Sequence, residues 1–400
     1  MRAPLIRSGF GFAALALLAG APQAVALDAP ALPAATADAM AQAASPEAIA
    51  EYRRKFREYQ AARAAFEQEA GAYWSSIADK RRGRNAKRRE HQTITLDDYV
   101  LTQPPVYGGP KRPVNPLPEP SEPEQAPRQH KAIPVVADLL KAAADYFQWT
   151  PQRAASEMEF KRAYARVASA AGLTRDQAVR VYSFETGGTG NYAVQSGLEH
   201  GGSRAISTAI GYNQLLTTNS VELLAEQGPE FIKALTAKAA PLSGSERQAM
   251  DRKIAVLKKM VALARSVPDE WAEHEKLGDT PQGWALHAMV LDLDVGPLLQ
   301  THKLLTSVIF ARAKGFARPL SAAELEMMNL TGDGTGLDMV TMPQAMREQV
   351  PTSNFFQRSG YERNPVAIRH DTVAKLLAVT DARMDSNSNL PGAKDLAAAF

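Results

Sequence analysis

The 400-residue chain contains no cysteine, which excludes disulfide staples, thiolate metal sites and a lipidated cysteine. Charge imbalance is nearly absent. With 46 Lys and Arg against 43 Asp and Glu, the formal net charge is +3, too mild to mark a nucleic-acid binder or a membrane-coating protein. Apolar runs long enough for a bilayer span, roughly 20 residues, are missing throughout. The seven histidines form neither an HExxH motif nor a close i, i+4 pair, which argues against zinc. No Gly-x-Ser-x-Gly elbow occurs. The glycine-rich Thr331–Gly336 lacks both the Lys-Ser/Thr ending of a phosphate loop and the ligand spacing of an EF-hand, so it reads as a turn.

What is present begins with a segment shaped like a secretory signal, residues 1–26. Basic Arg2 and Arg7 precede an apolar run from Phe10 to Leu18, and Ala24-Val25-Ala26 has the small-x-small form of a cleavage site. The expected location of the mature protein is therefore the periplasm, in soluble form.

Residues 27–90 read as a helical arm with a basic end. Ser45 suits an N-cap, Pro46 the first helical position and Glu47 the positive end of the helix. Ile49, Tyr52, Phe56, Tyr59, Phe66, Ala70, Tyr73 and Ile77 recur three and four apart, a heptad seam interrupted at Arg63. Such a stripe over helix 46–79 must be buried against a partner helix, which would allow self-association, or against the chain's own enzyme domain. The run from Lys80 to Arg89 that follows is either a solvated charged tail or a patch for an anionic surface, lipid head groups or cell-wall carboxylates.

Ten of the 26 prolines fall between Pro104 and Pro134, so 91–134 reads as an extended linker without a core of its own. From 135 to 385 the pattern is one of short capped helices, followed by a flexible tail at 386–400. Val136, Leu140, Ala143 and Phe147 form one face, Thr150-Pro151 opens a second helix, and Thr174 with Gln177 makes a capping box for a third. Met250, Ile254, Leu257, Val261 and Ala264 form another stripe, as do Leu298, His302, Leu305 and Ile309, and Ser321 with Glu324 supplies a second capping box. Strand-like alternation is confined to short pieces between Tyr192 and Gly211. The fold class expected is mainly α.

The informative stretch is Tyr182-Ser183-Phe184-Glu185-Thr186-Gly187-Gly188-Thr189-Gly190. Glu185 shares a helical face with Ala178, Val181 and Tyr182 and falls in the last turn before the glycines. Burial and the negative end of the helix dipole both disfavour its charged form, so its pKa should rise. A carboxyl that keeps its proton near neutrality is what a departing glycosidic oxygen needs. This segment alone is equally compatible with a surface glutamate at a frayed helix end.

A second stretch, Ser207-Thr208-Ala209-Ile210-Gly211-Tyr212-Asn213-Gln214-Leu215-Leu216, changes that balance. Glu185-Thr186 followed by Gly-Tyr-Asn-Gln-Leu resembles the signature of the lytic transglycosylases of the lysozyme-like superfamily, and the run is also similar to that of lambdoid phage endolysins. Asp294-Val295-Gly296-Pro297 resembles the family's Asn-Ala-Gly-Pro run, and Pro351-Thr352-x-x-Phe355-Phe356 with Tyr361 is a weaker likeness. The resemblance covers roughly residues 135 to 380 in ordered pieces and does not touch the N-terminal third. It implies a lysozyme-like catalytic domain in which one Glu, here Glu185, protonates the oxygen between N-acetylmuramic acid and N-acetylglucosamine. The same group then takes the proton of the muramic 6-hydroxyl, giving a 1,6-anhydro product with no metal, nucleotide or other cofactor. Gln214 would line the sugar cleft, with Tyr212, Asn213, Ser207, Thr208 and Asp294 as further substrate-side residues. Gln214 can equally be an ordinary polar residue at a helix start.

The sequence also departs from the family pattern. Glu185 and Gln214 stand 29 positions apart, so an inserted loop around 198–204 must be accommodated. Ala205 occupies the place of the family's serine, and Leu293-Asp294 that of Tyr-Asn. A lysozyme-type hydrolase would need a second acid, for which Glu199, Asp294 and Asp338 are conceivable. A peptidoglycan-binding scaffold without catalysis is the alternative from another class.

Overall fold

The computed structural model describes residues 45–116, 133–198, 202 and 204–400. The segment read as a secretory signal, and Glu199, lie outside them. The chain divides into two compact units, one holding residues 45–116 and the other 133–400. Both are built from helices, and among the described residues no strand forms, only isolated bridges at Gln195–Ile210, Ile210–Leu215 and Pro351–Thr372. No helix among the described residues is long and apolar enough to cross a membrane.

The first unit is a single helix and a strap. Helix α1 (Pro46–Arg89) starts as the sequence predicts, with the Ser45 hydroxyl accepting from the Ala48 amide at 3.2 Å, and ion pairs Lys55–Glu51, Arg54–Glu58 and Arg63–Glu67 lace its exposed face. It runs ten residues past the expected end of the seam. The basic stretch is therefore helical, and its cations are partly engaged within the unit. Arg84, buried, donates to the Asp98 carbonyl at 2.9 Å and lies 4.2 Å from the centre of the Tyr99 ring, while Lys87 pairs with Asp98 at 2.7 Å.

Beyond a short 3₁₀ turn (Leu96–Asp98) the proline-containing segment returns along the helix. Tyr73 donates to the Thr102 carbonyl at 2.9 Å, the Tyr107 ring meets Phe66 and Tyr59 edge-on, and Arg112 lies over Phe56. The geometry matches. Fourteen residues in extended proline-like conformation span roughly 43 Å, and the 28 helical residues from Phe56 to Arg84 span about 42 Å. The expectation of a coreless linker over 91–134 thus needs correction as far as residue 116. This segment covers the aromatic stripe that was expected to find a partner helix or another domain.

In the second unit α2 (Val136–Phe147), α3 (Glu157–Ala171) and α4 (Arg175–Glu185) are followed by a loop to α5 (Thr217–Ala239) and α6 (Gly244–Ala264). Then come α7 (Trp271–Gly278), α8 (Pro281–His287), a 3₁₀ turn (Ala288–Leu291) and α9 (Gly296–Ala313). Next are α10 (Ala322–Thr331), α11 (Asp333–Thr341), the short α12 (Gln344–Arg347), α13 (Arg358–Glu362) and α14 (Pro365–Arg369), and finally α15 (Val373–Ser388) and α16 (Pro391–Ala399). Helix α4 is central, packed by α3, α10, α15 and α16. Its N-terminus carries the expected reciprocal cap between Thr174 and Gln177, and the Gln177 amide also donates to the Leu320 carbonyl ahead of α10 at 2.9 Å. Ala178, Val181 and Tyr182 are fully buried.

Several local expectations shift by a few residues. Thr150-Pro151 does not open a helix. Gln152 donates its amide to Asp292 and accepts from the Leu293 amide, which holds this stretch extended, and Ser156 caps α3 instead. In α2 the buried residues are Leu139, Ala142 and Ala143. On α9 the buried apolar side chains are Leu299, Leu304, Leu305, Val308 and Ala311, so Leu305 of the predicted stripe is inside while Ile309 is 52% exposed. The predicted stripe there lies one step round the helix, because α9 is pressed by α3 on one side and α5 on another. The Gly332 turn is real but only a break: α10 ends there with φ at 82° and α11 begins at Asp333. The last fifteen residues are not a tail. Ala393 and Leu396 are buried, and the Ala393 amide donates to the Gly188 carbonyl at 3.1 Å.

That contact explains a glycine. Gly188 has φ of 74°, and a Cβ there would stand 2.4 Å from the Asn387 carbonyl oxygen. The left-handed conformation and the close approach of α15 both require hydrogen in place of a side chain.

One buried pair ties the loop before α5 to the core. The His287 ring, fully buried, lies 2.7 Å from Ser220 Oγ through Nδ1 and 2.9 Å from the Thr208 carbonyl through Nε2. A carbonyl only accepts, so Nε2 carries the hydrogen and Nδ1 accepts from Ser220. Burial lowers the His287 pKa from 6.5 to about 4. The unfolded chain therefore binds a proton that the folded one refuses between these values, and stability present above pH 6.5 is lost as pH falls toward 4. The expected loss is on the order of 3 kcal/mol, and urea titrations at pH 7 and pH 4.5 should show it shrinking in His287→Gln. Equal pH dependence in both proteins would show that His287 has no part in it.

Candidate functional site

Glu185 is the last residue of α4, half-buried, with Thr186 closing the helix and Gly187 and Gly188 turning the chain at positive φ. Its neighbours come from three other helices. From α10, the Asn329 amide donates to Glu185 Oε1 at 3.1 Å, and the Glu326 carboxyl stands against that of Glu185. From α9 comes Lys303 and from α15 Arg383, both near enough to act on Glu185 and on Glu326.

Burial pushes the Glu185 carboxyl from 4.5 to about 7, against the opposing pull of Lys303, the Glu326 hydrogen bond, Arg383 and Asn329. Burial likewise raises Glu326 well above the usual carboxylate range, and the Glu185 charge adds to the rise. Two further acids belong to the same electrostatic group. Glu222 on α5 is raised to about 7, first by burial, and Asp333 at the start of α11 is raised by burial while accepting from Ser307 Oγ at 2.5 Å; Lys303 opposes the rise in both. Carboxyls from α4, α5, α10 and α11 thus converge on one lysine.

The Gly-Tyr-Asn-Gln stretch is a tight loop beside α4. Tyr212 is fully buried, meets the Tyr182 ring edge-on at 4.9 Å, and donates to Glu157 at 2.5 Å. Asn213, also fully buried, donates to Tyr164 Oη at 3.1 Å and to the Gln300 carbonyl at 2.7 Å. Gly211 cannot be replaced cheaply. Its φ is 86°, and a Cβ would stand 2.0 Å from the Gln300 amide nitrogen. Gln214 holds a left-handed φ of 43°, and its amide donates to the Gly211 carbonyl at 2.8 Å and the Val194 carbonyl at 3.3 Å.

These partners give the predicted residues their places. Tyr212 and Asn213 lie beneath the surface, linking the loop to α3, α4 and α9, while Gln214 bonds within its own loop. Ser207 caps the Ala209 amide at 3.1 Å and Thr208 accepts from the Thr217 amide at 3.2 Å. Asp294 is buried in an ion-pair cluster with Lys238 and Lys253, part of the α9 entry. Asp338 is buried on α11. The structure therefore joins the two informative stretches through Tyr182 and Tyr212, and leaves Asp294 in a separate cluster.

A cavity of about 390 Å³ opens beside the end of α4, lined by Thr186, Thr189, Asn191, Val194, Gln195 and Leu198 among others. It borders both the residue after Glu185 and Val194, the acceptor of the Gln214 amide. Among the described residues no group of three or more His, Asp or Glu side chains could hold a metal ion.

Glu326, Asn329, Lys303 and Arg383 escaped the sequence reading. One signal was available: in Leu325-Glu326-Met327-Met328-Asn329 an acid and an amide three apart sit inside an apolar helical run, where a solvated face has no place. No family model matches the chain, and no curated protein and no solved structure matches it. What the fold and site define is a class: a mainly α-helical protein with a partly accessible carboxyl held in its protonated range by burial.

Proposed function

We propose that this chain is a peptidoglycan lytic transglycosylase with a lysozyme-like catalytic domain, in which Glu185 is the sole catalytic acid and base. The observation that carries this reading is the half-buried Glu185 carboxyl at a helix end, its pKa raised to about 7 by burial. Near neutrality a substantial fraction keeps the proton that the glycosidic oxygen between N-acetylmuramic acid and N-acetylglucosamine requires, and the carboxylate left behind is basic enough to take the muramic 6-hydroxyl proton. The Asn329 amide orients Oε1, and Lys303 and Arg383 steady the charge that forms. The cavity bordered by Thr186, the residue after the acid, has room for a sugar unit, with Gln214 fastening its Val194 wall.

A lysozyme-type hydrolysis finds less support. It needs a second carboxylate some 5 to 9.5 Å away with a water between or a reactive face of its own, whereas Glu326, the acid that acts directly on Glu185, has no exposed surface. Digestion of purified sacculi by the secreted form should release 1,6-anhydro-muropeptides, identified by mass. Reducing ends would assign the hydrolase, and the absence of any released muropeptide would favour a binding scaffold.

A further inference from the structure

Resting on the reading of Glu185 as the reacting acid, we infer that Glu326 is a positioning residue for it: a buried carboxyl that donates a hydrogen bond to the Glu185 carboxyl and steadies the anion formed when Glu185 gives up its proton. Glu326 has 0% exposure, and neither of its side-chain oxygens meets an N–H or O–H donor in hydrogen-bond geometry. An ionised carboxylate in that place would be a buried charge with only the Asn329 amide nearby, whose hydrogen bond goes to Glu185, at a cost a protein avoids by keeping the proton. Once protonated, the group needs an acceptor, and the Glu185 carboxyl stands against it.

The charged groups around Glu326 do not remove this need. Helix α4 brings Glu185, which repels a second negative charge; α9 brings Lys303 and α15 brings Arg383, which favour one. Asp333, from α11, is bonded to Ser307 and shares the field of Lys303. On α10 itself Asn329, one turn away, also lies near Glu326 and favours its charge, but its amide hydrogen bond goes to Glu185 at 3.1 Å. Burial outweighs these contributions, and the direction for Glu326 is upward.

The chemistry balances without any further reactant. Glu185 passes its proton to the glycosidic oxygen as the C–O bond breaks, Glu326 keeps its own proton and donates to the new carboxylate, and Glu185 regains a proton from the attacking 6-hydroxyl. A donor to Glu185 lowers its pKa, whereas a neighbouring anion would raise it. Substitutions at 326 therefore separate the two cases.

In Glu326→Leu the donor is lost with no change of charge, so the alkaline limb of the activity profile should move up by about one pH unit and kcat should fall about tenfold or more. Glu326→Gln retains an N–H donor and should show smaller changes in both. A downward movement of the limb in both variants would mean that Glu326 is an anion, and an unmoved limb in both would reduce it to packing; either result overturns the inference. A measurement independent of activity uses the full chain. Infrared spectra at about pH 8 should contain a carboxylic-acid carbonyl band that disappears in Glu326→Gln and shifts in Glu185→Gln. If that band is missing, or persists unchanged in Glu326→Gln, the donor role is wrong even if the protein cleaves glycan. If the band behaves as described and no glycan is cleaved, the error lies in the activity instead.

Discussion

Glu185→Gln should abolish release of anhydro-muropeptides, with a fall of about 10² to 10⁴ in kcat, while leaving the helical far-ultraviolet signal unchanged. The amide fits the same space and still meets Asn329 through its carbonyl, but it holds no transferable proton. Stability provides a second readout with a definite sign. A carboxyl whose folded pKa is raised by burial binds its proton more tightly in the folded state, so the stability it contributes is complete below its ordinary value of 4.5 and is lost as pH rises through about 7. The variant should therefore melt at the same temperature as the parent, or below it, in acid and gain on it at pH 8. A fully active variant would end the reading of Glu185 as the reacting group, and would point to a scaffold that holds glycan without cutting it.

Lys253→Met should produce the largest loss of stability. Lys253 is buried and bridges Asp292, at 3.0 Å, and Asp294, both nearly inaccessible to water. Asp292 in turn accepts from the amides of Gln152, Asp294 and Val295, which pins the entry to α9 against the stretch before α3. Removing the lysine leaves the Asp292 charge buried without a counter-ion, and breaking a pair of this kind costs about 3–5 kcal/mol. For a unit of this size the melting temperature should fall on the order of 10 °C. Asp292→Asn in the same background should restore part of the loss, since it removes the stranded charge. A single variant melting within about a degree of the parent would show that the cluster is solvated in practice. Because α9 also carries Lys303 and Gln300, the double variant should cut glycan better than the single one.

The N-terminal unit changes the partners to look for. Tyr59, Phe66 and Tyr73, on the face that would allow self-association of helix 46–79, lie against the chain's own residues 102–107. Arg84 and Lys87 are held by Asp98 and its neighbours, which leaves fewer free cations for an anionic surface than the run from Lys80 to Arg89 implies.

Local rules made a large part of this protein legible from its residues alone. The cap at Ser45, the reciprocal cap of Thr174 with Gln177, the stripe from Met250 to Ala264 and the placing of Glu185 in a final turn before two glycines depend on interactions within a few residues of chain, which periodicity and side-chain type encode. Tertiary packing alone decided the rest. Which side of α9 is buried depends on α3 and α5, the helical end of the chain depends on its docking at Gly188, and the strap depends on extended residues matching a helix in length. The surroundings of Glu185 are the clearest case. Lys303, Glu326, Asn329 and Arg383 come from more than a hundred residues away in the chain, and the cause of the raised pKa is loss of water, which exists only after the helices have closed around it.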